Sequence, residues 1–214
     1  MKDKLFTIFY MALVAAFFTA CVAMVHSATR ERVRLNQQLA EQRVILHVLQ
    51  IQMPENAPLE RFSEVYDQRI TETDIMIETQ ARQVPVLEAR SADGELIGYA
   101  FQVVGRGFWD MLRGYMAVGP ELTTIRGLAF YEQSETPGLG AEITEPWFEQ
   151  QFRDKQIPDA GAREGALIRL VRPGGEKRPG DADAVTGATE TSKRVEDIVN
   201  TTLESFLKTM RKRR

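Results

Sequence analysis

The chain has 214 residues, which is enough for one globular domain with appended segments. Its 27 lysines and arginines against 30 aspartates and glutamates give a net charge of −3, which argues against nucleic-acid binding as the main role. A single cysteine excludes an internal disulfide and a cysteine-ligated metal or iron–sulfur site within the chain. The two histidines, His26 and His47, precede the segment expected to be globular, so we predict no histidine metal site and no Ser-His-Asp hydrolase.

The first predicted element is a membrane-spanning helix. Residues 5–25 are uncharged and almost wholly apolar, and about twenty such residues span the core of a bilayer as a helix. We therefore expect residues 1–27 to be a single-pass anchor in contact with membrane lipid. A lipoprotein processing site at Cys21 is a weaker alternative, because this cysteine lies deep inside the apolar run. The arginines within residues 30–34 do not favour export of the following domain under the positive-inside rule.

The next segment, residues 28–83, is expected to be a helical linker or docking segment. Apolar residues recur at helical spacing within residues 28–52, which predicts a helix that continues from the anchor. We expect Pro54 and Pro58 to end that helix. The stretch that follows is polar and ambiguous, apart from a short strand candidate at residues 75–77.

The remaining residues, 84–214, are expected to form the globular domain. Their first part is rich in strand-forming residues, and Ala92-Asp-Gly94 predicts a hairpin turn between two strands. Strands followed by helices, without regular βαβ alternation, predict an α+β fold with a mostly antiparallel sheet. The expected strands cover residues 84–89, 96–104, 115–118, 122–131 and 166–171, and the expected helices are a short one at 146–155 and a closing one from about Ala188.

The most informative motif is Asp183-Ala-Val-Thr-Gly-Ala-Thr189, just before the closing helix. A helix start offers unpaired backbone N–H groups and the positive end of a dipole, which together suit a phosphate group. Gly187 permits a backbone geometry or a close approach that a side chain would block. From the residues alone, Thr186 or Thr189 is either part of a phosphate site or simply an N-cap, and both interpretations stay open.

This motif resembles the flavinylation motif of the FMN-binding domain family, which reads Asp, two variable residues, Ser or Thr, Gly, Ala, Thr. The family includes a flavin-carrying subunit of the sodium-translocating NADH:quinone reductase and one of the Rnf electron-transport complex. In it, the last threonine carries FMN through a phosphoester bond, made by a flavin transferase that uses FAD. The resemblance therefore implies covalent FMN at Thr189, with Val185, Thr186, Gly187 and Ala188 as further cofactor-binding residues.

A second segment, Glu135-Thr-Pro-Gly-Leu-Gly140, resembles the loop that packs beside the flavin in the same family. Its proline fixes a backbone angle and its first glycine allows a tight turn. The resemblance implies that Thr136 offers a polar group to the flavin ring, that Leu139 offers an apolar surface, and that Gly140 completes the loop. Glu135 either accepts a hydrogen bond from a backbone group or from the ring, or is an exposed loop carboxylate.

A third segment, Gly105-Arg-Gly-Phe-Trp109, resembles a Gly-x-Gly-x-Trp stretch of the quinone-reductase subunit. The resemblance implies that Trp109 lies against the isoalloxazine ring, where an aromatic face excludes water. Taken alone, a tryptophan that follows a strand is more often a core residue. The segment is not a dinucleotide fingerprint, because the third glycine is missing.

The resemblances imply an electron-transfer subunit with covalent FMN and no catalytic residues of its own, in a respiratory NADH:quinone reductase or an Rnf-type ion-translocating complex. They also imply other membrane subunits as partners, and an inner (cytoplasmic) membrane location with the flavin domain on the periplasmic or outer face. Two alternatives stay open. One is a non-redox extracytoplasmic sensor or scaffold of the same fold without flavin, and the other is a flavoenzyme with its own small-molecule substrate.

Overall fold

The computed structural model describes residues 2–54, 57–158 and 166–213. It divides the chain into two compact units, residues 1–40 and 41–214. The helices are α1 (Lys2–Val48), α2 (Leu59–Arg69), α3 (Pro146–Gln150) and α4 (Thr189–Arg213), with a 3₁₀ helix at Gly140–Thr144; the strands are β1 (Ile70–Glu78), β2 (Gln83–Arg90), β3 (Leu96–Arg106), β4 (Met111–Val118), β5 (Thr124–Glu132), β6 (Lys155–Gln156), β7 (Leu170–Val171) and β8 (Ala182–Asp183).

The described part of the first unit is helical, as predicted. Its large apolar side chains between residues 5 and 25 are exposed, for example Phe6 at 71% and Met24 at 73%. In the described chain, α1 is the one helix that is long and apolar enough to cross a membrane. An α-helix satisfies its backbone hydrogen bonds internally, which is what a bilayer core requires of a spanning segment.

The second unit is built on a six-stranded sheet in which β1 to β6 follow one another in chain order and every neighbouring pair is antiparallel. The predicted hairpin turn joins β2 to β3, where Gly94 has a φ of 84°. A separate parallel pair consists of β7 and β8. The predicted α+β fold with a mostly antiparallel sheet is therefore confirmed.

Side-chain alternation along the strands gives this sheet two apolar faces. On one face, fully buried Phe101 stacks on Phe206 of α4 with ring centroids 4.5 Å apart. On the other face, small residues (Ala100, Ala117 and Ala129) pack in a cluster with the last turns of α1 and with α2. The large residues on the α4 face hold the closing helix, so the position of its first turn is fixed by the main core.

The end of α1 differs from the prediction that Pro54 and Pro58 stop this helix. The chain leaves the helix earlier, at Gln50, which has a φ of 57°. The amide of Gln50 donates to His47 O (2.9 Å) and the amide of Ile51 donates to Leu46 O (3.0 Å), which is a Schellman arrangement. Glycine usually occupies the left-handed position, so a glutamine there provided no stop signal in the sequence.

The ambiguous stretch before residue 84 contains α2 and β1. Only a few apolar residues of α2 face the core, among them Val65, and this weak pattern concealed the helix. The strand candidate at residues 75–77 is confirmed within β1, where Ile75 and Ile77 are buried and Met76 is exposed. The sheet therefore begins at Ile70.

Two predicted elements in the later part of the chain are shorter than expected. The helix predicted at residues 146–155 stops at Gln150. Its aromatic residues were expected on one face, but Trp147 is 40% exposed while Phe148 and Phe152 are buried. The strand predicted at residues 166–171 covers only Leu170–Val171. Its earlier part is held by Asn200, whose side-chain amide accepts a hydrogen bond from Ile168 N (2.9 Å) and donates one to Ile168 O (2.7 Å) in place of a strand.

The prediction that neither histidine belongs to the globular part is wrong for His47. This residue lies in the second unit, where its Nε2 is 3.1 Å from Glu149 Oε2 on α3. The hydrogen bond to Glu149 raises the pKa of His47 above 6.5. From the sequence, the globular part was expected to begin with the first strands, and His47 was therefore assigned to the linker. The compact unit starts earlier, at Glu41.

Candidate functional site

Three loops meet at the start of α4. The aromatic loop (residues 107–110) joins β3 to β4, the turn loop (residues 133–139) follows β5, and the motif loop (residues 184–188) joins β8 to α4. They contain or adjoin all the residues that the sequence resemblances selected.

The carboxylate of Glu135 ties the turn loop to the other two segments. It is buried, with 5% of its surface exposed. Its Oε1 accepts hydrogen bonds from the backbone N–H groups of Phe108 (2.9 Å) and Trp109 (3.2 Å), and its Oε2 accepts one from the hydroxyl of Thr191 in the first turn of α4 (2.6 Å). Of the two interpretations of Glu135, the exposed loop carboxylate is therefore wrong, and the acceptor of backbone hydrogen bonds is confirmed.

An exposed apolar surface lies beside this tie. Trp109 is 62% exposed, Phe108 is 51% exposed, and their rings meet edge to face with centroids 4.9 Å apart. The indole Nε1 of Trp109 donates to the hydroxyl of Thr136 (3.2 Å), so the side chain has a defined orientation. Leu139 of the turn loop adds a further exposed apolar side chain (41%). The alternative of Trp109 as a core residue is therefore wrong.

Two glycines allow segments of the chain to approach each other closely near the start of α4. Gly187 has a φ of 77°, and a Cβ there would lie 3.0 Å from Leu139 Cδ2. At Gly140, a Cβ would lie 2.6 Å from Thr191 Oγ1. A side chain at Gly140 would therefore collide with the hydroxyl that Glu135 binds, while one at Gly187 would also be strained by the left-handed backbone.

Four hydroxyl groups lie in or next to the motif, and they fall into two pairs. Thr191 and Ser192 are buried, and both are bonded within the protein: Thr191 as described, and Ser192 Oγ as the acceptor of Val185 N (3.1 Å). Thr186 and Thr189 are exposed. Within the described ranges 2–54, 57–158 and 166–213, neither of these two hydroxyls has a hydrogen-bond partner.

The start of α4 has free backbone donors next to Thr189. Ser192 N donates to Ala188 O (3.0 Å), the first hydrogen bond of the helix, so Ala188 occupies the N-cap position. The backbone N–H groups of residues 189–191 have no acceptor among the described residues. Neither Thr186 nor Thr189 acts as the N-cap, and the simple capping interpretation of these threonines is therefore wrong.

Asp183, the first residue of the motif, is fixed by three polar contacts. Its backbone N–H donates to Gln151 Oε1 (2.6 Å), its carbonyl accepts from Gln151 Nε2 (3.3 Å), and its Oδ2 is 2.6 Å from Lys177 Nζ. Its Oδ1 is buried and has no hydrogen-bond partner among the described residues. The backbone that enters the motif loop is thus held by side-chain contacts rather than by a long strand.

Asp181 holds the preceding loop in a similar way. Its carboxylate binds the guanidinium of Arg169 (2.5 and 3.2 Å) and accepts a hydrogen bond from Arg178 N (2.8 Å), and its carbonyl accepts one from Lys155 Nζ (2.7 Å). Burial lowers the pKa of Lys155. The motif loop therefore starts from a fixed backbone, although the segment before it is rich in glycine and proline.

The fold and the three loops define a class of α+β domains in which an exposed threonine begins the last helix, and in which a buried carboxylate ties that helix to the loop of an exposed tryptophan. The sequence profile of the FMN-binding domain matches residues 107–204, and that of the RnfG N-terminal region matches residues 9–48. Residues 107–204 of the chain therefore match the model of the FMN-binding domain family, the family that the resemblance indicated.

Two curated relatives show the extent of the similarity, and both are NqrC subunits of a Na(+)-translocating NADH-quinone reductase. The chain is 36% identical over 128 residues to the one from Neisseria meningitidis serogroup B, which covers 59% of this chain and 48% of the relative. It is 35% identical over 127 residues to the one from Pseudomonas aeruginosa, which covers 56% of this chain and 49% of the relative. The chain thus spans about half the length of the curated relatives it matches.

Solved structures extend the similarity in fold. The crystal structure of the corresponding Na(+)-translocating NADH-quinone reductase protein from Parabacteroides distasonis matches with a TM-score of 0.70 at 27% identity, over 85% of this chain and 96% of that one. Shewanella oneidensis NqrC matches with a TM-score of 0.66 over 80% of this chain and 94% of that one, and at 22% identity this second likeness concerns the fold alone.

Sequence reasoning missed two residues of the site. Thr191 has a visible signal, since it lies four residues before Val195 and seven before Ile198, on the buried face of α4. A polar residue on an apolar helix face needs a partner, and here the partner is Glu135. Phe108 has no such signal, because an exposed phenylalanine in a loop looks like many others.

Proposed function

We propose that residues 107–204 carry FMN esterified through its phosphate to Thr189, and that the chain is an electron-transfer subunit of a membrane complex of the sodium-translocating NADH:quinone reductase or Rnf type. The observation that carries this proposal is the Thr189 hydroxyl. It is exposed, it has no partner among the described residues, and it lies at a helix start beside free backbone N–H groups. The names of the relatives support the type of complex.

The residues present fit the phosphate of this cofactor. A phosphodiester keeps one negative charge, and the N–H groups of residues 189–191 together with the positive end of the α4 dipole stabilise such a charge. Gly187 lets the motif loop turn without a side chain that would cover the hydroxyl. The site is open to solvent and would retain a noncovalently bound cofactor poorly, whereas an ester bond keeps the cofactor in place.

The residues also fit the flavin ring. Trp109, Phe108 and Leu139 present exposed apolar surface, and Thr136 presents a hydroxyl that already binds the indole of Trp109. When bound, FMN supplies reversible oxidation and reduction, and the protein contributes position, shielding from water and electrostatics. The Glu135 carboxylate accepts three hydrogen bonds from the protein and is buried, so its structural task is to hold the loops.

A carrier fits these loops better than a flavoenzyme with its own substrate. General acid–base chemistry needs a titratable group that reaches the substrate, and the carboxylate of Glu135, which joins the loops, is held by three hydrogen bonds from the protein. We therefore assign no catalytic residue to the chain. Electrons would enter and leave through redox centres of neighbouring membrane subunits.

The location of the chain follows from the same proposal. The match of residues 9–48 to the RnfG N-terminal region and the exposed apolar side chains of α1 support a membrane anchor at residues 1–27. We propose the inner membrane, with the domain that starts before residue 84 and contains the motif on the periplasmic or outer face. A flavin transferase acting on that face would complete the subunit.

The test is covalent flavin on the denatured protein. The full chain and its Thr189→Val and Thr201→Val variants are co-expressed with a flavin transferase, and the SDS-denatured bands are examined under ultraviolet light. We expect fluorescence from the wild type and from Thr201→Val, which removes an exposed hydroxyl of the same helix outside the motif, and none from Thr189→Val. Equal fluorescence in all three would place the linkage elsewhere.

A dark wild-type band would change the conclusion, provided that the transferase labels a control protein in the same cells. The non-redox scaffold would then be the better function. Flavin that appears in the native protein but not in the denatured band would leave an FMN-binding carrier without the ester bond.

A further inference from the structure

A cavity of about 460 Å³ lies in the second unit, and none of its lining residues belongs to the three loops of the candidate site. The end of α1 and the segment after it form one wall, and α2, β5 and α3 contribute the others. A cavity of this size is in the range that binds small molecules. The electron-transfer function proposed above makes no use of it.

The cavity is lined largely by apolar groups, including Leu46, Ile51, Phe62, Leu128 and Pro146. Its walls are held together by a close backbone contact. A Cβ at Gly127 of β5 would lie 2.8 Å from the carbonyl oxygen of Val48, so the end of α1 rests directly on the strand. Both Val48 and Leu128 are nearly inaccessible to solvent, which makes this part of the wall a fixed surface.

Positive charge predominates among the ionisable groups of the lining. Three arginines, Arg43, Arg126 and Arg153, line the cavity together with His47, and Glu149 is the acidic residue of the lining. Glu149 is already engaged, since its Oε2 is 3.1 Å from His47 Nε2. Among the described residues, the lining therefore carries more positive than negative charge.

The three guanidinium groups have little to neutralise them. Arg126 Nε donates to Leu49 O (3.3 Å), and the guanidinium of Arg43 lies 4.7 Å from the ring centre of Phe62. Within the described ranges, none of the three forms an ion pair with a carboxylate. The nearby carboxylate of Asp154 accepts a hydrogen bond from the Gln50 amide (2.8 Å).

We infer that this cavity binds a small amphipathic anion, that is, an aromatic or short aliphatic body with one carboxylate, sulfonate or phosphate group. The apolar walls favour burial of the body, because removing apolar surface from water is the main source of affinity in such pockets. The uncompensated arginines favour the anionic group, since a guanidinium binds carboxylate or phosphate oxygens in a fixed fork. An uncharged ligand would gain nothing from the three positive charges, and a cation would be repelled.

The experiment uses the full chain, expressed without flavin transferase, in nanodiscs of zwitterionic phosphatidylcholine. The probe is 8-anilinonaphthalene-1-sulfonate, whose fluorescence rises when its rings leave water, and the signal of empty nanodiscs is subtracted. We expect one saturable site per chain. Arg153→Gln should weaken binding roughly tenfold, or by about 1.4 kcal/mol, since it removes a charge-assisted hydrogen bond from an exposed guanidinium.

A variant that should raise the affinity for the probe makes the test specific. Glu149→Gln removes the negative charge of the lining and should tighten binding of the same probe, whereas damage to the cavity would weaken it. Arg153 is exposed, so its replacement leaves the core intact. Arg172→Gln removes another exposed arginine, one that does not line the cavity, and it should leave the affinity unchanged.

Three results would overturn the inference. The first is the absence of saturable binding above the signal of empty nanodiscs. The second is equal affinity of the probe for the wild type, Arg153→Gln and Glu149→Gln. The third is loss of the signal in Trp109→Ala. The last result would mean that the probe binds the exposed aromatic loop. None of these results bears on covalent flavin at Thr189, so failure here and failure of the proposed function are distinguishable.

Discussion

The start of α4 and the end of α1 are two helix ends in the same unit, and they are finished in opposite ways. At the end of α1, backbone hydrogen bonds from Gln50 and Ile51 satisfy the last carbonyl groups. At the start of α4, the N–H groups of residues 189–191 have no acceptor among the described residues, and the adjacent hydroxyl of Thr189 faces solvent. A closed end fixes a helix, whereas an open end is able to bind a charged group.

The open end is held in place by a side chain rather than by its own backbone. Glu135 connects it to two loops through Thr191, Phe108 and Trp109. The closed end is held by direct contact with β5 at Gly127. The two ends should therefore respond differently to substitution.

The largest effect on stability is expected from Glu135→Ala. The change leaves two backbone N–H groups and the Thr191 hydroxyl without their acceptor, and should lower the free energy of unfolding by about 3 kcal/mol. Urea unfolding of the full chain in nanodiscs, followed by tryptophan fluorescence, measures this, because both tryptophans (Trp109 and Trp147) lie in the second unit.

The matched control for this substitution is Glu132→Ala. Glu132 is a half-exposed carboxylate paired with Arg113 on the neighbouring strand, so its loss should cost less than about 1 kcal/mol. Equal effects of the two substitutions would mean that Glu135 does not hold the open end.

A smaller effect is expected from Gly127→Ala at the closed end. The added methyl group would lie 2.8 Å from the carbonyl oxygen and 2.9 Å from the Cα of Val48, and both are backbone atoms that cannot rotate away. Overpacking of this kind typically costs about 1–3 kcal/mol. The same unfolding measurement checks it. Wild-type stability in this variant would show that the end of α1 can lift away from the strand.

The smallest effect is the pH dependence contributed by His47. Its hydrogen bond to Glu149 raises its pKa in the folded chain, so protonation of His47 stabilises the fold. This contribution is complete below the ordinary histidine value of 6.5 and is lost as the pH rises through the higher folded value. We expect urea midpoints of the wild type to fall across this range relative to those of His47→Gln. Parallel curves for the two proteins would contradict the assignment.

Sequence reasoning located the start of α4 and missed the end of α1. The difference is whether the structure depends on neighbouring residues or on residues distant in the chain. Gly187 and the helical spacing of Val195 and Ile198 are local signals that any single sequence displays. Gln50 has a left-handed backbone, and its side chain is held there by hydrogen bonds to Arg126 O and Asp154, residues that are distant in the chain. Local chemistry is visible in the sequence, while stabilisation by distant partners is not.

The same distinction holds within the candidate site. The motif residues, the turn loop and Trp109 could be selected from short segments, and the structure brings them together. The burial of Glu135 could not be foreseen, because it depends on Phe108 and Thr191 from two other parts of the chain. For a similar reason, the predicted strand at residues 166–171 is shortened by the side chain of Asn200.

The buried face of α4 also determines the directions in which the side chains of its first turn point. Each helical residue turns the chain by about 100°, so Thr189 and Thr191 point about 160° apart around the axis. Packing of the buried face of α4, from Val195 to the stacking of Phe206 on Phe101, fixes this rotation and thereby directs Thr191 inward and Thr189 outward. Which of the two hydroxyls reaches solvent is thus determined by hydrophobic packing that continues along the helix.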